Sequence, residues 1–449
     1  MNNSPPILQK AVILAAGFGK RLTPLTDTRP KPLIPIGGRP ILTHTLEAVK
    51  KIGIEEVLLI VGYKKEQIEN YYGKGDSMGL SITYIDQKEF LGTGHAAQLA
   101  KNFAKNEPFM LIYGDLFMDP QIYYLIKRDF TKEQYHGIIA AKSMPDPTKW
   151  GIMKVDEHYI LQKMVEKPPD DRFGNLANAG VYVLAPTIFD ALSTIEKSPR
   201  GEYELTDAIA ARVKAGDKFH VLDVSEYFWS DVGHPWQFLE ATHYFLEQLP
   251  GEPTTKSNLP ASNLINEGGT VEPFVNIHGT VKLGKNSVIK SGSYLEGPII
   301  IGENCVIGPN AYLRPYTTLG DFCKVGNGSE VKSSIIMNHS AIPHLSYVGD
   351  SIIGEHVNFG CGSITANLRL DKKSISMKVK GQRVNTGRRK LGTIIGDHAQ
   401  LGIQVSIMPG KTIGAYAHVG SNTVVRENVP SNSIYYSNSP VDLKKRSSI

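Results

Sequence analysis

Apolar residues fall at every sixth position through much of the second half of the chain. They are Ile277, Leu283, Ile289, Leu295, Ile301, Ile307, Leu313, Leu319, Val325, Val331 and Met337. A period of six matches neither the 3.6 of an amphipathic helix nor the 2 of a strand. It fits a triangular coil whose short flat sides each send one aliphatic residue inward, three hexads closing a coil of eighteen residues. The beat stops after Met337 and resumes out of phase at Ile353 and Phe359. It returns, in phase with Ile353, at Ile395, Leu401, Ile407, Ile413, Val419 and Val425. The pattern predicts a parallel β-helix with two loop-outs. The first is Asn338–Ile352, which holds His344 and Tyr347, and the second is Leu368–Leu391.

The first half reads differently. Short apolar runs at 11–17, 57–62, 82–86, 109–115 and 137–142 alternate with helical patterns at about 41–52, 64–72, 93–104 and 119–128. Strands alternating with helices predict a mostly parallel, Rossmann-like α/β sheet covered on both faces. Ligands in such sheets bind beyond the carboxyl ends of the strands, which directs attention to residues 15–22 and to Asp115. An amphipathic helix is expected from Pro235 to about Leu249, followed by a Pro/Gly/Thr/Ser-rich joint. His234 and His243 are read as part of that helix's packing. The expected division is 1–234 for the α/β domain, 235–262 for helix and linker, 263–435 for the β-helix and 436–449 for a tail.

Composition narrows the chemistry. With 449 residues, 41% hydrophobic and 21% charged, the chain can bury sizeable cores. A net charge of +5 suits phosphorylated substrates, whereas nucleic acid would call for a denser basic patch. The three cysteines, Cys305, Cys323 and Cys361, show no paired spacing, so neither a disulfide framework nor a zinc site is expected, and a reducing cytoplasm fits. No signal peptide and no membrane span are predicted.

The loop after the first strand, Ala15-Ala16-Gly17-Phe18-Gly19-Lys20-Arg21, precedes a proline-rich stretch with Lys31. Glycines let a backbone approach a phosphate closely, and Arg21 and Lys31 can neutralise one. Further on come Gln87-Lys88-Glu89-Phe90-Leu91-Gly92-Thr93-Gly94, Tyr113-Gly114-Asp115, Val165-Glu166-Lys167-Pro168, Asn178-Ala179-Gly180 and Trp229-Ser230-Asp231-Val232-Gly233. In this order the segments resemble the signature of sugar-1-phosphate nucleotidylyltransferases over about the first 240 residues. The resemblance implies Mg2+ held by Asp115 and Asp231, and a triphosphate steadied by Arg21 and Lys31. Lys167 would hold the sugar's phosphate, and Gln87 and Gly92 would read the uracil or thymine edge. Ala15, Ala16, Gly17, Thr93, Gly151, Glu166 and Asn178 are implied as further nucleotide and sugar contacts. Hard carboxylates suit magnesium, and transfer to phosphorus depends on positioning and charge neutralisation. UTP and dTTP differ by one methyl and are both retained.

Hexapeptide repeats of this form resemble the left-handed parallel β-helix. More specifically, Leu313-Arg314-Pro315-Tyr316, Gly326–Lys332, Pro343–Asp350 and Val357–Asn367 resemble the acetyltransferase domain of the bifunctional UDP-N-acetylglucosamine synthesis enzymes. That resemblance implies His344 as general base, a role suited to a side chain titrating near neutral pH. Arg314 and Lys332 would hold the sugar-linked phosphate, and Tyr347 and Asn358 the sugar. Cys361, Asn367 and Ser421 would lie near acetyl-CoA, and a homotrimer with sites between subunits is expected. Two features depart from the bacterial pattern: Leu368 stands where tyrosine follows the asparagine, and Leu368–Leu391 is an insertion with nine Lys/Arg and one acid. The insertion gives the chain the look of the archaeal form, and its own reading stays open between a solvated hairpin and a positive arm over a phosphate-bearing ligand. Trp229–Gly233 resembles the glucose-1-phosphate thymidylyltransferases. The leading expectation is therefore a bifunctional acetyltransferase and nucleotidylyltransferase. The alternative is a thymidylyl- or uridylyltransferase whose β-helix only assembles or regulates.

Overall fold

A computed structural model describes residues 8–132, 135–250 and 263–437. They form two compact units. The first comprises the chain up to Gly19, Arg29–Ile34 and Arg39–Gly233, and the second comprises Lys20–Thr28, Pro35–Gly38 and the chain from His234. The short segments join the second unit for definite reasons. Thr28 Oγ1 donates to Asp397 Oδ2 and Ser431 Oγ to Asp27 Oδ2, both at 2.6 Å. The expected linker from residue 251 to 262 and nearly all of the expected tail lie outside the described residues.

In the first unit the strand Lys10–Leu14 lies between Glu56–Val61 and Phe109–Tyr113, parallel to both. Ser81–Asp86 extends the sheet in parallel beyond Glu56–Val61, and Leu176–Leu184 runs antiparallel to Phe109–Tyr113. The central strand is buried along its length because both faces are covered, which is why it reads as a continuous apolar run. It ends at Leu14 rather than at Gly17, and Phe109–Tyr113 ends before Asp115, so the residues expected to carry chemistry begin where the ladder stops. The helix expected over 93–104 is two pieces, Thr93–Gln98 and Lys101–Ala104. The other three helices expected here occur as Ile41–Lys51, Lys65–Tyr72 and Gln121–Lys132.

In the second unit the helix Pro235–Glu247 starts with a reciprocal cap between His234 and Gln237, and proline occupies its first position. Three parallel sheets follow between Asn263 and Tyr435, and apart from one hairpin the chain visits them in turn. This is the architecture the hexads predict, of the left-handed parallel β-helix class. The beat residues form one core: Leu283, Ile301, Leu319, Ile353, Ile395 and Ile413 among them are fully buried or nearly so.

The phase break is not a loop-out. Leu319 pairs with Ile336 and Ile336 with Ile353, so two coils have seventeen residues instead of eighteen. The inward residue is Ile336, one earlier than the sequence beat at Met337, and Ile342 and Val348 carry the beat through the segment. His344 ends a regular strand, Ala341–His344, and Tyr347 begins the next, Tyr347–Gly349. Each missing residue comes from the same corner, between the sheet of Val331 and Val348 and that of Ile336 and Ile353.

The second loop-out is real. Ile353 pairs with Ile395 across forty-two residues, one coil plus twenty-four. The extra chain leaves after Thr365, at that same corner, and forms an antiparallel hairpin of Ser376–Val379 with Gln382–Asn385. Ile375 and Met377 are buried, while Lys378, Lys380 and Arg383 are exposed.

A different corner carries a ladder of planar rings. Phe322, His339, His356, His398 and Tyr416 stack on consecutive coils with centroids 4.6–4.7 Å apart. Each has positive φ, from 56° to 61°. The rung spacing of a sheet, about 4.8 Å, brings equivalent side chains to stacking distance.

Candidate active sites

In the first unit the prolines around Lys31 fix a short 3-10 turn, Lys31–Leu33, that buries the lysine. Its Nζ donates to Asp115 Oδ2 and to the Asp231 carbonyl, both at 2.8 Å. One buried cation thus brings together the two aspartates that the motifs separate by more than a hundred residues. Asp115 follows Gly114, where a Cβ would come within 2.8 Å of the Leu14 carbonyl. The tight backbone approach leaves Asp115 partly open to solvent beyond the strand end. Lys31 meets Asp231 through its backbone carbonyl, and the Asp231 carboxylate accepts from the Gly233 N–H at 3.3 Å; carboxylates of this kind would suit a magnesium ion that also takes substrate phosphates and water.

Ala15 and Ala16 are buried and bond Ile60 and Tyr63 through the backbone. Gly17 is exposed, and a Cβ there would meet nothing within 4 Å. The protein's own packing therefore leaves that backbone open to a ligand. Gln87 is buried, with Nε2 3.3 Å from the Gly92 carbonyl and 3.2 Å from His95 Nδ1. Gly92 has φ +103°, and a Cβ would lie 2.5 Å from the Tyr203 carbonyl, so glycine is required there. Thr93 Oγ1 accepts from the Leu205 N–H at 3.1 Å.

Gly151 lies against Glu166, whose Oε2 a Cβ would meet at 2.8 Å. Burial raises the Glu166 carboxyl's pKa, and Arg200, bonded at 3.3 Å, opposes the shift. Lys167 is exposed with φ 45°. Asn178 Oδ1 accepts from the Gly180 N–H at 2.9 Å, and its amide donates to the Tyr182 hydroxyl, which in turn donates to Tyr113 at 3.0 Å. Burial pushes the Tyr113 hydroxyl up to about 12. Arg21 is exposed on the turn Lys20–Leu22, within the segment that belongs to the second unit.

The motifs did not single out Arg200, which also holds Glu204 at 2.6 Å, or the cluster of Phe18 with Tyr63 and Phe90. Phe18 and Phe90 are aromatics inside the recognised motifs, the signal the sequence offered, and both are exposed.

In the second unit, Arg314, Lys332 and Asp350 stand at the irregular corner on three consecutive coils, linked by Arg314 N to Val331 O and Asp350 N to Lys332 O. Asp350 is 3% exposed. It accepts from Lys332 Nζ at 3.2 Å and from Asn367 Nδ2 at 2.6 Å. Asn367 Nδ2 also reaches the Tyr347 hydroxyl at 3.0 Å. Arg314 pairs with Glu330 at 2.8 Å, and its Nε is buried with no partner among the described residues. Asp350 is the residue that sequence reasoning quoted and left without a role.

Other expected members stand apart. His344 is exposed at the opposite end of the sheet side from Asp350, and its carbonyl accepts from Gly362 N at 3.2 Å. Cys361 lies at the same corner one coil on, and Ser421 two coils further, where Gln404 N bonds Cys361 O and Asn422 N bonds Ile403 O. Asn358 is exposed on a different sheet from Tyr347, paired with Ala341 and Gln400.

Two sequence profiles match the chain: one of the nucleotidyl transferase family over residues 10–248, and one described as the GMPPB C-terminal domain over residues 295–439. A protein of Methanococcus maripaludis (strain C7) named "Bifunctional protein GlmU" is 43% identical over 437 residues, covering 97% of this chain and 99% of the relative. A Sulfurisphaera tokodaii protein named "Bifunctional sugar-1-phosphate nucleotidylyltransferase/acetyltransferase" is also 43% identical, over 94% of this chain and 98% of its own length. The chain belongs to the bifunctional sugar-1-phosphate nucleotidylyltransferase/acetyltransferase family. A solved UDP-glucose pyrophosphorylase complexed with UDP-glucose is 25% identical, with a TM-score of 0.50, over 54% of this chain and all of that one. As a member of this bifunctional family the chain is an enzyme. Among the described residues no helix is long and apolar enough to cross a membrane.

Proposed function

We propose that the protein acetylates glucosamine-1-phosphate with acetyl-CoA on its β-helix and couples N-acetylglucosamine-1-phosphate to UTP, or to dTTP, in its α/β unit, releasing pyrophosphate. The Asp350 cluster carries this reading. A β-helix serving only for assembly has no use for a buried carboxylate joining a lysine and an asparagine, with the asparagine in turn donating to a tyrosine.

In the β-helix, Lys332 and Arg314 attract the sugar's phosphate, and Tyr347 and Asn358 contact the sugar. The sugar's amine attacks the thioester carbonyl. His344 accepts the amine's proton, the new C–N bond forms, the C–S bond breaks, and the coenzyme leaves as its thiol. A backbone N–H near Cys361 suits the oxyanion. Tyr347 and Asn358 lie on different sheets, which supports a homotrimer in which a neighbouring copy's Asn358 completes the site.

In the α/β unit Lys31 steadies the triphosphate. Lys167 holds the sugar phosphate, and Glu166 and Asn178 serve the sugar. Asp115 and Asp231 would hold magnesium, which supplies neutralisation of phosphate charge when bound. Gln87 serves the pyrimidine edge.

The test is a pair of assays on one preparation: free thiol from acetyl-CoA plus glucosamine-1-phosphate or galactosamine-1-phosphate, and pyrophosphate from UTP plus N-acetylglucosamine-1-phosphate. Both products are expected. His344→Ala should abolish thiol release and spare pyrophosphate release. Absence of thiol with either sugar would leave a single-activity nucleotidylyltransferase.

A further inference from the structure

The twenty-four-residue insertion does more than lengthen one coil. Its base is closed by a bridge between Leu368 and Lys390, and Ile375, Met377 and Leu391 are buried. Gly410, on the next coil, fixes the hairpin's seat: a Cβ there would lie 2.7 Å from the Ile375 side chain and 2.9 Å from the Ser376 carbonyl. The hairpin is docked onto the β-helix.

Between the insertion and the corners that follow runs a groove of about 1350 Å³. Besides Arg369, its cations are Lys378 and Arg383 from the hairpin and Lys411 and Arg426 from the β-helix. None of these four forms an ion pair with a described residue, whereas Arg369 is held by Asp371 at 2.6 Å. Glu427 is the one other acid in the lining. The same groove exposes Leu368 and Met408 by about two fifths and Leu370 completely. Apolar side chains beside unpaired cations suit a ligand that is both anionic and partly apolar. The volume exceeds the roughly 300–1,000 Å³ typical of sites for drug-sized ligands, so a sugar phosphate would leave most of it empty. Ala366 lines the groove and is next in sequence to Asn367, which belongs to the Asp350 cluster.

We propose that this groove binds the phosphorylated nucleotide end of the acetyl donor, so that the insertion is the donor-recognition element of the β-helix. The proposal rests on the acetyltransferase reading above. It places the phosphates of acetyl-CoA on Lys378, Arg383, Lys411 and Arg426, with the thioester reaching back along the sheet past Asn367. Ser421 of the same chain stands at the opposite corner of that sheet from the hairpin.

The test uses the full chain with saturating glucosamine-1-phosphate and three donors: acetyl-CoA, its 3′-dephospho form and S-acetylpantetheine. In the native protein KM should rise from the first donor to the last. The double variant Lys378→Ala, Arg383→Ala should raise KM for acetyl-CoA by about tenfold or more, the scale of lost charge-assisted phosphate contacts. It should leave S-acetylpantetheine kinetics unchanged. Arg426→Ala, on the β-helix instead of the hairpin, should act the same way. Pyrophosphate release from UTP serves as the control for folding. An unchanged KM for acetyl-CoA overturns the proposal. So does an equal rise for S-acetylpantetheine, a rise confined to the sugar phosphate, or a change of oligomeric state with loss of activity toward all donors. If the native protein releases no thiol from any donor, the acetyltransferase reading falls and takes this proposal with it; an active native protein with insensitive variants sinks the proposal alone.

Discussion

Asn367 donates to Asp350 at 2.6 Å, across one coil of the β-helix, while Asp350 also accepts from Lys332 at 3.2 Å. A buried carboxylate thereby sets the positions of an amide and an ammonium that otherwise belong to separate turns of chain. Asp350→Asn keeps the shape and removes the charge. Charge-assisted bonds of this kind contribute about 1.5–3 kcal/mol, so acetyl transfer should fall roughly ten- to a hundredfold. The loss should appear mainly as a higher KM for the sugar phosphate, with KM for acetyl-CoA and pyrophosphate release little changed. Equal losses in both activities would mean that Asp350 only supports the fold.

Lys31 plays the corresponding part in the α/β unit. Lys31→Met keeps the buried stem and removes the ammonium shared by Asp115 and the Asp231 carbonyl. Asp115 is partly exposed, so water can take over its charge and the stability change should stay near about 1 kcal/mol. Nucleotidylyl transfer should drop by about a hundredfold or more. Acetyl transfer measured on the same preparation should be unaffected.

His243 makes the second unit sensitive to acid. Its ring stacks on Tyr316 at 4.3 Å and bonds Ser333 Oγ at 2.7 Å. Burial first, and the nearby Arg388 and Lys332, lower its pKa to about 4, with Asp350 opposing. The unfolded chain therefore binds this proton at higher pH than the folded one. Stability is highest above about 6.5, declines as the pH falls toward about 4, and levels off below. His356, lowered by burial and by His339 and His398, contributes in the same direction. Thermal melts between pH 4 and 7 should show the decline, and His243→Gln should flatten it.

Gly326 tests how the strand carrying His344 is seated. A Cβ at Gly326 would lie 2.0 Å from the Pro343 carbonyl, immediately before His344, and backbone cannot yield as a flexible side chain can. Gly326→Ala should lower the melting temperature of the β-helix and reduce acetyl transfer by more than tenfold, roughly the effect of displacing a catalytic group by about an ångström. Pyrophosphate release should persist.

The coarse fold was legible because both halves bury apolar side chains at periods that geometry dictates. A hexad pattern also needs a register, and register is where the reading slipped: Met337 and Ile336 are both apolar and both buried, so the beat could not say which points inward. Two residues lost at one corner therefore looked like a protruding loop. Of the candidate site, the contacts legible in advance were those whose members lie in motifs, as with Lys31 and Asp115 or Lys332 and Asn367. Asp350 escaped because its role depends on bonds to residues seventeen and eighteen positions away, which only the pitch of the coil brings close. Arg200 escaped because Glu166, 34 residues away in sequence, meets it only through tertiary packing.

The shortened coils and the insertion share one corner, and so does the last full turn, where Ile413 pairs with Val429 only sixteen residues on. Strand pairing on either side continues through the shortened coils and past the insertion. The β-helix thus behaves like a ruled page with a free margin: chain can be removed or added along one edge while the lines stay straight. New binding surface can accumulate on that edge in small steps, each compatible with the core already in place.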